Sequence, residues 1–227
     1  MKPSTFLTRR ALLRAAALAA GLLLAGCSSL GPASEARPPI LFVHGNGDSA
    51  ALWTTTLWRF ESNGWPRERL EAIDLPDPLA RDDDGVAQAG RSSNAEQAQA
   101  LSAAVDRLLE RTGAKQAVLV ANSRGGLVVR NYVQHFGGAA KVSHAVLGGT
   151  PNHGVRNDPA SRPGNEFNGG GPFLKDLNAP KGPSGDEVTS GVRWLTLRSD
   201  NYDKFAQPEG RWIGMAGKPT NVSFDSP

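Results

Sequence analysis

Residues 117–126 read Ala-Val-Leu-Val-Ala-Asn-Ser-Arg-Gly-Gly, and this stretch decides the fold. Its apolar first half is typical of a buried strand, and a helical stretch is predicted directly after it, over residues 127–136. Ser123 lies at the tip of the turn between them, with Ala121 and Gly125 two positions away on either side. Small residues at these positions let backbone segments approach closely. The pattern therefore predicts a strand that turns sharply into a helix.

The spacing Ala-x-Ser-x-Gly is close to that of a nucleophile elbow, in which a strained turn pushes a serine hydroxyl out of the sheet. Alanine replaces the usual first glycine, which is a mild departure because the position mainly needs a small side chain. The following helix also aims its N-terminal N–H groups at a negative charge developing beside the serine. We therefore expect Ser123 to be a nucleophile. The alternative is an ordinary strand-to-helix turn that contains Ser and Gly.

Apolar runs alternate with helical patterns along most of the chain, and this alternation predicts an α/β fold. Ser93-Asn94-Ala95-Glu96 has the spacing of a capping box and opens the clearest helix, which Gly113 ends. We expect a mostly parallel, doubly wound central sheet with helices on both faces. The predicted strands are 40–43, 70–75, 117–120, 145–147, 194–197 and 221–224.

In such a sheet, ligands bind beyond the carboxyl ends of the strands. One of the loops expected there is His44-Gly45-Asn46-Gly47. Its backbone can approach a substrate oxygen, and acyl transfer needs N–H donors for the oxyanion. We expect the backbone N–H groups of Asn46 and Arg124 to be these donors. His44 is expected to orient the loop through a hydrogen bond; the alternative is a role as base.

The N-terminus has the pattern of an export signal. Lys2, Arg9 and Arg10 precede an uninterrupted apolar run over 15–24, which is too short to span a membrane. The run ends in Leu24-Ala25-Gly26-Cys27, which resembles the lipobox of bacterial lipoproteins, and Thr8–Leu13 resembles a twin-arginine motif. We therefore predict a lipoprotein signal peptide over 1–26, lipidation at Cys27, a tether over 27–38 and a hydrolase domain over 39–227. The export route, Sec or Tat, stays open.

Charge and cysteine content limit the function classes. The chain has 227 residues and a formal net charge of +3, yet its first 26 residues hold four basic residues and no acidic one. The remainder carries 21 basic against 22 acidic residues, so the sequence does not suggest nucleic acid as a partner. Cys27 is the single cysteine, which excludes an intramolecular disulfide. No metal-ligand spacing occurs, and no cofactor is expected.

Five stretches together resemble the α/β-hydrolase superfamily, and within it the small bacterial lipases and esterases of the lipase class 2 type. The similarity spans roughly residues 38–225 and rests on Val43–Gly47, Asn63–Arg67, Thr112–Lys115, Ala121–Gly126 and Leu147–Gly154. It implies an α/β-hydrolase fold whose C-terminal strand and helix are incomplete. It also implies that Ser123 attacks an ester carbonyl while a histidine takes the hydroxyl proton and an acid orients that histidine. The same resemblance assigns the oxyanion N–H groups to Asn46 and Arg124.

The acid is expected after the strand at 194–197. Asp203 is preferred because Asp203-Lys204-Phe205-Ala206-Gln207-Pro208 resembles the family pattern, and Asp200 is the alternative. The triad order in this fold is serine, acid, histidine, and no histidine follows Asp203. We therefore expect the chain to be truncated before its catalytic histidine and, as it stands, to be inactive or very slow. His153 is the remaining candidate for the base, although the resemblance implies a structural role for its loop.

The sequence thus predicts a serine hydrolase of carboxylic esters, a lipase or esterase acting on triacylglycerols or short-chain acyl esters. The alternatives are a polyester or hydroxyalkanoate depolymerase and a non-catalytic surface lipoprotein that retains the fold without the base. Phe167, Phe173 and Leu174 either border an acyl pocket or belong to a plain surface loop. The expected partners are an ester or lipid substrate and, through the N-terminal lipid anchor, a membrane. The expected location is the outer membrane or periplasm, with secretion as a further possibility.

Overall fold

The computed structural model describes residues 37–155, 162–183, 185–199 and 215–224. Three residues with predicted roles, Cys27, Asp200 and Asp203, lie outside the described residues, as do the predicted signal peptide and most of the predicted tether. In the described part of the chain, no helix is long and apolar enough to cross a membrane.

Within the described residues, a parallel sheet of six strands forms the centre of the fold, in the order β2-β1-β5-β6-β7-β8. A separate two-stranded sheet joins β3 to β4. The strands are β1 (Ile40–Val43), β2 (Leu70–Ile73), β3 (Leu79–Ala80), β4 (Arg91–Ser92), β5 (Ala117–Asn122), β6 (Val142–Gly148), β7 (Arg193–Ser199) and β8 (Thr220–Phe224). All six predicted strands of the main sheet are confirmed, with ends that differ by a few residues.

Four α-helices occur in the described ranges: α1 (Thr54–Ser62), α2 (Asn94–Thr112), α3 (Arg124–His135) and α4 (Pro172–Leu177). Short 3-10 helices cover Ala50–Trp53, Arg67–Arg69 and Gly138–Ala140. The N-terminus of α2 has the predicted capping box, and Gly113 ends the helix with a left-handed φ of 65°.

The side chains of β1 alternate between two apolar clusters, one on each face of the sheet. Leu41 and Val43 belong to the large cluster that includes residues of α2 and α3. Ile40 and Phe42 point the other way, and Phe42 packs against Trp53 and Phe60 beside α1. Because successive side chains of a strand face opposite sides, a continuous apolar strand needs helices on both faces. The predicted fold class, an α/β-hydrolase fold, is confirmed.

Two elements and the start of one helix were not predicted from the sequence. The strand pair β3–β4 and helix α4 lie outside the predicted strands and helices. Helix α3 begins at Arg124 rather than at residue 127, directly after the serine. Glycines at 125 and 126 are unfavourable within a helix, which is why the sequence pattern placed its start later. Tertiary contacts override that preference here.

The carboxyl ends of β1, β5, β6 and β7 lie side by side. Val43 pairs with Ala121, Asn122 pairs with Gly148, and Gly148 pairs with Leu197. The loops that leave these strands therefore start from one edge of the sheet, as predicted. Ser123 and the loop 44–47 lie at this edge.

Candidate active site

Ser123 occupies a strained turn between β5 and α3. Its φ and ψ angles are 50° and −127°, a conformation that residues with a Cβ atom rarely adopt. Its N–H donates to the carbonyl of Gly148 on β6 (2.9 Å), and its own carbonyl accepts from the N–H of Gly126 (3.1 Å). The serine is only partly buried. A serine held at positive φ between a parallel strand and a helix is the geometry of a nucleophile elbow.

The glycines around the serine are required by close backbone approach. A Cβ atom on Gly125 would lie 2.8 Å from the carbonyl oxygen of Val43, closer than real Cβ contacts. A Cβ atom on Gly126 would lie 2.8 Å from the Cβ of Thr150, and one on Gly45 would lie 3.0 Å from the Cβ of Ser123. The elbow is thus wedged between the loop after β1 and the loop after β6.

The loop 44–47 is held by the segment around β3. The Oδ1 of Asn46 accepts from the N–H of Ala80 (2.7 Å), and the N–H of Gly47 donates to the carbonyl of Pro78 (3.1 Å). Asn46 and Gly47 are exposed, whereas His44 and Gly45 beneath them are buried. Residues 46 and 47 of the loop therefore face solvent, while residues 44 and 45 are fixed in the interior.

His44 uses both ring nitrogens to hold this loop. Its Nε2 accepts from the N–H of Leu75 (3.0 Å), so Nδ1 carries the proton and donates to the carbonyl of Gly45 (2.8 Å). The ring is buried, with 1% of its residue surface exposed. A neutral ring with both nitrogens engaged cannot also serve as a proton acceptor for the serine. The predicted orienting role of His44 is confirmed.

Arg124, the first residue of α3, has a fully buried side chain. Its Nε is ion-paired with Glu166, which is also fully buried, and its Nη2 donates to Glu166 as well (3.3 Å). Nη1 donates to the carbonyl of Pro78 (3.0 Å), and Nη2 donates to the carbonyl of Ser92 (2.7 Å). The guanidinium therefore joins the elbow to the segments around 78, 92 and 166.

Sequence reasoning missed Glu166 and missed the role of the Arg124 side chain. Burial raises the pKa of Glu166, while the neighbouring charge of Arg124 and its hydrogen bond act in the opposite direction. Glu166 lies 42 residues from Arg124 in a stretch with little periodicity. No local signal could have paired them, because the burial of the Arg124 side chain, which creates the need for a partner, is itself a result of the tertiary structure.

Arg130 lies further along α3 and makes a second buried junction. It donates to Asn152 Oδ1 (3.1 Å), to Asn178 Oδ1 (2.8 Å) and to the carbonyls of Leu177 (3.0 Å) and Glu187 (2.9 Å). Burial lowers its pKa to about 10, although Glu187 opposes this shift. The loop after β6 is thereby tied to α3 through Asn152, which agrees with a structural role for this loop.

The other three histidines are also engaged or distant. His153 Nε2 pairs with the carboxylate of Glu187 (3.0 Å), and His135 pairs with the exposed Asp176 (2.6 Å). His144 is exposed near the start of β6, beside Ser143, and so lies toward the opposite edge of the sheet from Ser123. None of these contacts places a histidine on the serine. In the described ranges, no group of three or more His, Cys, Asp or Glu residues is arranged to hold a metal ion.

Phe167, Phe173 and Leu174, predicted either to border an acyl pocket or to belong to a surface loop, differ in burial. Leu174 is fully buried and packs with Leu127 of α3 and Leu177, so it cannot line an open pocket. Phe167 and Phe173 are only partly buried against the same cluster. Neither of the two alternatives for Leu174, a pocket-lining or a surface position, fits the structure, because its side chain packs against Leu127 of α3.

Residues 40–220 match the alpha/beta hydrolase family, and the chain belongs to this family. Three solved lipase structures are similar in fold. They are the propeptide form of a Bacillus licheniformis lipase (22% identity, covering 72% of this chain and 36% of that one, TM-score 0.51), Aspergillus fumigatus lipase B (14%, 86% and 47%, 0.58) and a Paleococcus ferrophilus monoacylglycerol lipase (16%, 83% and 86%, 0.55). At these identities the likeness concerns the fold alone. The chain spans 36% of the Bacillus chain and 47% of the Aspergillus chain.

Proposed function

We propose that this protein is a serine hydrolase of carboxylic esters, a lipase or esterase that works through an acyl-enzyme on Ser123. The observation that carries the proposal is the backbone of Ser123, held at φ 50° between a parallel strand and α3. The surrounding structure holds this strained conformation in place through the hydrogen bond from Ser123 to Gly148 and the close approach of Gly45 and Gly125. Backbone strain of this kind is concentrated at functional sites.

The chemistry follows from the elbow. Ser123 Oγ attacks the ester carbonyl carbon, its proton passes to a histidine base, and the carbonyl oxygen becomes an oxyanion. The N–H of Arg124 is available for that oxygen, because the first N–H groups of a helix have no intrahelical acceptor. The exposed backbone of Asn46 provides the second donor. Collapse of the intermediate breaks the bond to the alcohol, which leaves with the proton, and water then hydrolyses the acyl-enzyme.

A catalytic triad also needs an acid and a base beside the serine. We assign the acid to Asp203, with Asp200 as the alternative. In the triad order of this fold the base is a histidine after the acid, and none of the four histidines of this sequence stands there, so the base is not assigned. His44 is excluded by its two hydrogen bonds. The lipid anchor at Cys27 and the location in the outer membrane or periplasm remain part of this proposal. They would bring the hydrolase domain close to acyl esters at a membrane surface.

The function is tested with the full-length protein on p-nitrophenyl esters of short and long acyl chains. We expect Ser123→Ala to abolish the ester turnover that depends on the enzyme. The loss in kcat reaches roughly 10⁶ where a triad histidine serves Ser123 and is far smaller without one, since the members of a triad act as a unit. Ser143→Ala is the matched control because Ser143 lies near the amino end of β6, where its hydroxyl contacts the carbonyl of Ala117 (3.3 Å) and Nδ1 of the exposed His144 (3.0 Å). Equal turnover by wild type and Ser123→Ala would disprove the nucleophile.

The acid is tested by comparing Asp203→Asn with Asp200→Asn. Where a triad histidine serves Ser123, loss of the triad acid is expected to lower kcat by about 10⁴ in the first variant and to have little effect in the second. A large loss in Asp200→Asn with little effect in Asp203→Asn would identify Asp200 as the triad acid. Labelling of Ser123 by a fluorophosphonate separates the enzyme from a non-catalytic surface protein, because a wild type that neither labels nor hydrolyses esters has no working nucleophile.

A further inference from the structure

Arg124 combines two features that are rarely found in one residue. Its backbone N–H, at the first position of α3, is the donor that the proposed function assigns to the substrate oxygen, whereas its charged side chain is fully buried. Burying a guanidinium has a large desolvation cost, which only good geometry and several acceptors can offset. Here the carboxylate of Glu166 and two carbonyl oxygens supply those acceptors.

The carbonyl of Pro78 links the two halves of the proposed oxyanion site. It accepts from the side chain of Arg124 (3.0 Å) and also from the N–H of Gly47 (3.1 Å). Asn46, the residue before Gly47, is fixed by its side chain to Ala80 in the same segment. The two proposed oxyanion donors, on residues 46 and 124, are thus connected through one short stretch of backbone around β3.

Glu166 orients the guanidinium that makes this connection. It binds Nε and Nη2, and this two-point contact fixes the plane of the guanidinium, which a single contact would not do. Glu166 is itself held because its segment is bound to the stretch before α2. Asn165 Nδ2 donates to the carbonyl of Arg81 (3.2 Å), and the N–H of Asp84 donates to the carbonyl of Gly164 (2.8 Å).

We propose that the buried Arg124–Glu166 pair is a positioning device that sets the distance between the two oxyanion donors, on Asn46 and Arg124. The inference rests on the proposed function and extends it to the side chains that control the oxyanion site. An apolar pair of similar volume would fill the same space without the desolvation cost. It would not hold the carbonyl of Pro78, and the two donors would lose their common anchor.

The test replaces the pair by apolar residues and asks which kinetic constant changes. In the full-length protein, the double variant Arg124→Met with Glu166→Leu avoids an unpaired buried charge and is expected to fold. We expect its kcat for p-nitrophenyl butyrate to fall about 10- to 100-fold, less than the 10²–10³ typical of losing an oxyanion donor entirely. KM should change less than threefold, because the ester ground state does not use the oxyanion contact.

A trifluoromethyl ketone inhibitor gives a direct readout of the oxyanion site, since its adduct with serine carries the oxyanion. Its inhibition constant should rise by about the same factor as kcat falls. Arg162→Ala is the matched control, because it breaks an exposed ion pair with Asp82 (3.0 Å) in the same loop without touching the elbow. This control should leave kcat, KM and the inhibition constant unchanged.

A folded double variant with wild-type kcat and inhibitor binding would overturn the inference, since the pair would then only stabilise the fold. If the double variant does not fold, Glu166→Gln replaces it. This variant keeps the volume and is expected to lower kcat roughly fivefold at constant KM, and an unchanged kcat would overturn the inference equally. A wild type that shows no Ser123-dependent turnover would instead defeat the proposed function, and the inference with it.

Discussion

At the scale of single residues, the site depends on glycines, because a Cβ atom at their positions would clash with neighbouring atoms. Gly125 lies where the elbow crosses the end of β1, and its missing Cβ leaves room for the carbonyl oxygens of Val43 and His44. Ser123 has a positive φ although it is not a glycine, so its backbone conformation is strained. The loops packed around Ser123 therefore hold its backbone in this unfavourable conformation.

Gly125→Ala should destabilise the protein through overpacking rather than through helix propensity. Alanine is the better helix former, yet its Cβ would meet backbone atoms that cannot move aside, and overpacking of this kind costs about 1–3 kcal/mol. Urea unfolding measures the change. Gly148→Ala is the control at the same sheet edge, because its Cβ would lie 3.7 Å from the nearest atom, the carbonyl oxygen of Ala121. A Gly125→Ala protein as stable as wild type would show that the elbow can shift.

At the scale of elements, α2 shows how a local motif and a tertiary contact share one helix end. The Oγ of Ser93 accepts from the N–H of Glu96 (3.1 Å), and the N–H of Ser93 donates to Glu96 (2.7 Å). The carboxylate of Asp84 accepts from the N–H of Asn94 (2.9 Å), although Asp84 belongs to the preceding loop. Burial raises the pKa of Asp84, and the hydrogen bond from Asn94 opposes this. The capping box was predictable, whereas the contact with Asp84 was not.

Ser93→Ala should lower the free energy of unfolding by about 1 kcal/mol, because one N–H of the first turn loses its acceptor. Thermal or urea unfolding of the folded variant measures the loss. Ser93→Thr keeps a hydroxyl at the cap and is expected to lose less than half as much. Equal losses in both variants would mean that packing around the buried cap, and not the hydrogen bond, stabilises α2.

At the scale of the whole molecule, Glu187 connects distant parts of the chain. Its carboxylate binds His153 Nε2 (3.0 Å) after β6 and the N–H of Ala216 (2.8 Å) before β8. Its carbonyl accepts from Arg130 of α3. Burial acts to raise the pKa of Glu187, yet the hydrogen bonds from His153 and Ala216 and the charges of His153 and Arg130 outweigh it and lower the pKa below its ordinary value.

This shift predicts a dependence of stability on pH. Because the pKa of Glu187 is lower in the folded state, its ionised form stabilises the fold above the ordinary value of 4.5, and that contribution is lost as pH falls through the folded value. At pH 7, Glu187→Gln should lower the free energy of unfolding by about 1.5–3 kcal/mol, the typical range for hydrogen bonds to charged groups.

The difference between wild type and Glu187→Gln should therefore shrink as urea unfolding is repeated at lower pH, below about 4.5. Asp176→Asn is the matched control, because the His135–Asp176 pair is exposed on both sides and exposed pairs contribute little. A difference that is independent of pH would contradict the assigned role of the Glu187 carboxylate.

The α/β fold, the positions of all six strands of the main sheet, the capping box of α2 and the place of Ser123 could be predicted from the amino-acid sequence. These features are local, since strand and helix patterns, caps and tight turns depend on residues within one or two turns of each other. His44 also belongs here, because its position directly after β1 predicted the orienting role that its contacts confirm. Asn46, Asp203, Asp200 and Cys27 keep their sequence-based roles as predictions.

Only the tertiary structure decided what surrounds the serine. The start of α3 at Arg124, the burial of the Arg124 side chain and its pairing with Glu166 arise from contacts between segments more than 30 residues apart. The same holds for the inward turn of Leu174 and for the junctions made by Arg130 and Glu187. A linear pattern carries no information on which buried charge meets which, because that choice is made by the desolvation cost of each group once the chain has closed around it.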